Sequence, residues 1–170
     1  DALLALNVDP AWSSPVSAAG DFYREAGLVV RARDAYARAL QLDPGDPVAH
    51  LGLAEAAIAD AASALVGLEL GSAGASEVMF HRTDEAQMHL DAIREAGRLP
   101  PGLSERLPGL MLLAMREPDS LKKQAQCAEA ARLFEAAVER SSSPGAMCLW
   151  AAIAWGGAYQ PEKCALWADE

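Results

Sequence analysis

His81, Glu85 and His89 follow one another at steps of four residues. On a helix that spacing places all three on one face, where two imidazoles and a carboxylate could offer ligands to zinc. A structural zinc takes four protein ligands, and no fourth stands nearby. The same spacing also fits a solvated polar stripe opposite the apolar Met79, Ala86, Leu90 and Ile93. We adopt that reading, and expect no metal site. Cys127, Cys148 and Cys164 could serve as nucleophiles only beside a base that lowers a thiol pKa, and no histidine follows His89. Cys148 and Cys164 are expected to pack as small hydrophobes. Trp150, Trp155 and Trp167 could form an aromatic cage, but the five residues from Trp150 to Trp155 do not keep one helical face. Core or inter-helix packing is the expectation. Arg31, Arg33 and Arg38, offset by Asp34, are expected on a solvated outer face. The chain has no Gly-rich phosphate loop, no HExxH and no CxxC. No catalytic residue and no cofactor is assigned.

The composition narrows the class further. The chain has 170 residues, 24 acidic and 14 basic side chains and a net charge of -10. Its 52% apolar content supports a sizeable core in one domain. An acidic balance argues against a nucleic-acid backbone or an anionic bilayer as the main partner, since both need clustered Lys and Arg. No uncharged apolar run approaches the roughly 18 residues of a membrane span. The first residues, from Asp1, lack a basic n-region and a cleavage site, so no secretory signal is visible. Three widely spaced cysteines fit reduced thiols, hence an intracellular, cytoplasmic location.

The elements that position these residues announce themselves through self-similarity. Residues 5–10 read Ala-Leu-Asn-Val-Asp-Pro and residues 39–44 read Ala-Leu-Gln-Leu-Asp-Pro, an offset of 34 residues. A 34-residue period is that of a helix-turn-helix unit too small to bury its apolar face alone and therefore obliged to stack. Gly20 and Ala32 are small where two helices approach closely, and Tyr23 and Tyr36 fill the space they leave. Gly27 permits the turn between the helices, Ala39 continues the packing face, and Pro44 stops the second helix. With these seven residues at their spacings, residues 13–46 resemble one complete tetratricopeptide repeat. Val16 and Ala19 stand where that family usually has Trp and Leu, a departure that alters packing and leaves the fold in place.

Ser14-Pro15, Asp46-Pro47 and Ser143-Pro144 each set a capping residue before a proline suited to the first helical position. They predict helices over about 15–26, 47–70 and 144–157, with a further one over about 29–41. The triple Ala32/Tyr36/Ala39 recurs as Ala86/Leu90/Ile93 and as Ala130/Phe134/Ala137. The expected fold is therefore an all-α, right-handed helical-hairpin solenoid with hairpins at about 14–42, 47–97, 102–140 and 144–170. The second hairpin is elongated, to helices of about 47–70 and 75–97. Pro108 is expected to bend or delay the first helix of the third hairpin, and Gly71–Ser76 to form a loop. Residues 1–10 look like half a repeat, and 161–170 like the start of another, so the chain is expected to be a fragment of a longer solenoid.

The resemblance implies a function. In this family the first helices of successive repeats line a groove that takes extended peptides or partner helices. Mapped here, the groove positions are Ser17, Asp21, Arg24 and Glu25 in the first hairpin, and Val48, Leu51, Glu55 and Ile58 in the second. They imply a non-catalytic interaction scaffold within a larger assembly, whose protein partner brings an apolar anchor and a basic residue. The carboxylate-clamp subclass is disfavoured, because Ser17, Asp21 and Gly52 stand where it needs Lys and Asn. The alternative is a regulatory module of a larger signalling enzyme or transcription regulator. A zinc enzyme built on His81, Glu85 and His89 ranks last.

Overall fold

The computed structural model describes residues 13–69, 74–97, 103–117, 119–141 and 144–168. Among them are eight helices and no strand. The predicted half repeat at 1–10 lies outside the described residues. The helices α1 (Ser13–Glu25) and α2 (Val29–Leu42) pack as a pair. So do α3 (Pro47–Glu69) with α4 (Ala75–Ala96), α5 (Leu103–Ala114) with α6 (Ser120–Val138), and α7 (Pro144–Gly157) with α8 (Pro161–Ala168). Each pair leans on the next through α2 on α3, α4 on α5 and α6 on α7. The result is the expected all-helical, lengthwise stack of hairpins, similar to a tetratricopeptide array.

Local chemistry explains where the helices begin and end. Asp46 Oδ1 accepts the backbone N–H of Val48 and of Ala49 at 2.9 and 3.1 Å, which caps α3 just ahead of Pro47. Asp119 caps α6 in the same way, from Leu121 and Lys122. Gly27 turns the chain between α1 and α2 with φ +73°, a left-handed conformation that disfavours any side chain. Pro108 lies inside α5, which runs through it from Leu103 without delay. Of the two effects expected of Pro108, a bend or a delay, the delay is absent.

All three packing triples are buried: Ala32/Tyr36/Ala39, Ala86/Leu90/Ile93 and Ala130/Phe134/Ala137. Tyr36 does most to join the first repeat to the second. A Cβ on Gly20 of α1 would lie 2.5 Å from Tyr36 Cε1, and one on Gly52 of α3 would clash with the other side of the same ring. The ring is therefore wedged between two bare backbones. Phe134 of α6 repeats half of this arrangement against Gly109 of α5, where a Cβ would lie 2.6 Å from Phe134 Cζ. Burying a large aromatic ring in this way contributes on the order of 2 kcal/mol each. Tyr23, the other predicted filler, is partly buried against the Tyr36 cluster. Among the described residues no helix is long and apolar enough to cross a membrane.

Arg33 departs from the predicted outer face. Its guanidinium turns toward α3 and meets Asp60 at 3.1 Å, because the elongated α3 carries a carboxylate within its reach. Arg31 stays exposed as expected, and Arg38 donates to Gln41 Oε1 at 2.7 Å.

Candidate functional site

The first helices α1, α3 and α5 lie side by side, with α3 touching both of the others. Across them runs a row of alternating charge. Arg24 sits 3.2 Å from Asp21 on α1 and donates to Glu55 Oε2 on α3 at 2.6 Å. Glu55 Oε1 accepts from Arg106 on α5 at 3.2 Å. At the α1 end, the Tyr36 hydroxyl donates to Asp21 Oδ1 at 2.7 Å. The wedge that packs the repeat is thus also the anchor of the charged row.

Burial grades the row from outside to inside. Asp21 and Arg24 are about two-fifths exposed (37% and 40%), whereas Glu55 is 6% exposed. Burial is the largest influence on the Glu55 carboxyl and raises its pKa, while Arg106 and then Arg24 pull it back. Burial, with the bond to Asp21, also pushes the Tyr36 hydroxyl pKa well up, so it stays a proton donor. A buried carboxylate between two guanidiniums is a fixed structural tie. Asp21 and Arg24 are the part of the row that an incoming charged group can reach.

The remaining predicted groove residues divide sharply. Glu25 is exposed and Val48 half-buried. Ser17 is 2% exposed. Leu51 and Ile58 are 7% and 4% exposed and belong to the larger core cluster. That corrects the expectation that these two side chains stand open to receive a partner's apolar anchor: both belong to the core that holds α3 against its neighbours.

His89 departs from the predicted stripe. His81 is exposed and Glu85 turns to Arg82 at 2.5 Å, but His89 is 6% exposed. Its Nδ1 lies 2.9 Å from Nδ1 of His50 on α3. The His50 Nε2 atom lies 2.9 Å from the Pro44 carbonyl, which can only accept. In the neutral pair, His50 therefore donates to Pro44 through Nε2 and accepts the His89 Nδ1–H. His89 belongs to a partly buried bond between α3 and α4, not to a solvated face. Among the described residues no three His, Cys, Asp or Glu side chains gather so as to hold a metal ion.

At the far end, Trp150 stacks on Phe134 with ring centroids 6.1 Å apart. The indoles of Trp155 and Trp167 each donate to Glu135 Oε1 at 2.7 Å. The three tryptophans serve packing, and Glu135 fastens α8 to α6. Cys148 is buried, Cys164 partly so, and all three cysteines are free thiols.

Residues 16–56, covering α1 from Val16, α2 and the start of α3, match the family model of the tetratricopeptide repeat. Over those residues the chain is similar to a tetratricopeptide repeat. The match ends within the helix that bears Gly52 and Glu55, so the Tyr36 wedge and the α1–α3 part of the charged row fall inside it. Comparison with curated proteins and with solved structures finds no match. Repeats of this family generally mediate binding to other proteins. Arg106, His50, Asp60 and Glu135 did not emerge from the sequence. The partners of Arg106 and His50 stand 51 and 39 residues away, beyond any local spacing rule.

Proposed function

We propose that this chain is a non-catalytic scaffold segment that receives a protein partner along the wall formed by α1, α3 and α5. The observation that carries the reading is the accessible end of the charged row, Asp21 and Arg24, on the first helix of a recognised repeat. Asp21 is held by one hydroxyl and one guanidinium, both of which can share it with a basic residue of the partner. Glu25 lies on the same helix and adds to the field that steers such a segment in. Glu55, Leu51, Ser17 and Ile58 support the wall from beneath. Three free thiols suit a reducing, intracellular setting within a larger assembly.

The test compares proteins captured by the wild-type chain with those captured by Asp21→Asn plus Glu25→Lys. Asparagine keeps an acceptor for Tyr36, so the fold is preserved, which circular dichroism checks. Glu129→Lys plus Arg132→Glu, an exposed ion pair on α6, is the control. Partners lost from the first variant and kept by the control support the reading. Partners kept by both variants refute it.

A further inference from the structure

The hairpins are unequal in length, and the inequality opens a cavity. The α3 helix has 23 residues, about 35 Å, while α5 has 12, about 18 Å. Past the end of α5, α3 is left to meet α7 directly. The space there measures about 550 Å³ and is partly open to solvent. Ile58 and Ala62 of α3, Met79 of α4, Leu113 of α5 and Ile153 of α7 give it apolar walls. Its size falls within the roughly 300–1,000 Å³ of small-molecule sites, which are mostly apolar with a few placed polar groups.

The placed group is Lys123, at the start of α6. It is the one charged side chain lining the cavity among the described residues. Its ammonium donates to the carbonyls of Leu113 and Met115 at 2.9 and 2.6 Å, closing the end of α5. Two of its three N–H groups are so engaged, and it forms no salt bridge among the described residues. Burial lowers its pKa from the usual lysine value, more than Cys127 and the carboxylate of Glu117, which lies beyond salt-bridge distance, raise it. The neighbouring Cys127 thiol, raised by burial, supplies no negative charge of its own. A cationic spot in a protein of net charge -10, facing an apolar hollow, favours a particular occupant.

We propose that this cavity binds a small amphiphilic monoanion, an aliphatic carboxylate of about ten carbons, with its chain among the α3, α4 and α7 side chains and its carboxylate on the third Lys123 N–H. The occupant would touch the second, third and fourth hairpins at once. A side chain from a partner protein would fill only a fraction of the volume, which favours the small molecule.

Calorimetric titration of the full chain with decanoate, decan-1-ol and decylammonium tests this. Decanoate is expected to saturate at one equivalent and to bind at least tenfold more tightly than decylammonium. Ala62→Phe, which fills the cavity from α3, should weaken decanoate at least tenfold, and Lys123→Met should erase its advantage over decanol. Should either variant fail to fold, the decanoate and decylammonium comparison on the wild type decides alone. No saturable decanoate binding, equal binding of the anion and the cation, or full binding by folded Ala62→Phe overturns the proposal. Tighter competition by a peptide ending in Leu with a free carboxylate also overturns it, in favour of a protein chain end.

Discussion

Gly20→Ala adds one methyl group where the structure leaves no space for it. The new Cβ would sit 2.5, 2.6 and 2.9 Å from three atoms of the Tyr36 ring. Ordinary contact needs almost 1 Å more. A tyrosine tip can usually swing aside, but here the backbone of Gly52 closes the other side, so relief on α1 becomes a clash on α3. Overpacking of this kind costs about 1–3 kcal/mol. Any rotation that relieves it also stretches the 2.7 Å bond to Asp21, and hydrogen bonds to charged groups contribute about 1.5–3 kcal/mol. Against this, replacing a helical glycine by alanine gains about 1 kcal/mol of helix propensity. The net expectation is a destabilisation of about 2 kcal/mol, read by urea unfolding followed by circular dichroism, with Tm lower by about 4–8 °C. In a Tyr36→Leu background the methyl has room, and Gly20→Ala should become neutral or stabilising by about 1 kcal/mol. An equal cost in both backgrounds, or a stabilised wild-type background, refutes the wedge.

Two further outcomes follow from the buried polar groups. Burial, then His50, lowers the His89 pKa below 6.5, with Arg33 acting in the same direction and Glu85 against it. As pH falls through 6.5 the unfolded chain takes up this proton before the folded one does. Unfolding free energy should therefore decline in the window just beneath pH 6.5, and His89→Asn should flatten that slope; an unchanged slope removes His89 as its source. Glu135→Ala strips the acceptor from both Trp155 and Trp167, so α8 should loosen at a cost of roughly 1.5–3 kcal/mol. Tryptophan emission should shift to the red, and an unshifted spectrum would show that α8 is held by other means.

Much of the architecture could be read from residue types and spacing alone. The prolines at 47 and 144 each begin a helix, and an apolar triple at steps of four and three is buried in α2, α4 and α6. These signals are local: a cap, a ring constraint or a helical face is decided within a few residues. The wall was harder. Which polar residues lie on the first helices follows from the repeat, and Asp21, Arg24 and Glu55 are linked there. How deeply each is covered depends on the neighbouring hairpin. Leu51 and Ile58 are buried because the elongated second hairpin packs against more than its nearest neighbours. His89 had the spacing of a surface residue, yet it turns to His50 on another helix, a contact that no local spacing reveals.

The wedge at Tyr36 bears on how the N-terminal end comes apart. One ring rests on α1, grows from α2 and leans on α3, with its hydroxyl tethered to α1. In stacked-repeat arrays cooperativity is carried by the interfaces between neighbours. Here the interface and the interior of the first unit share a single side chain. The first hairpin therefore cannot peel away without drawing the ring off α3, so separation of the two hairpins and loss of the Arg24–Glu55 tie come in the same step.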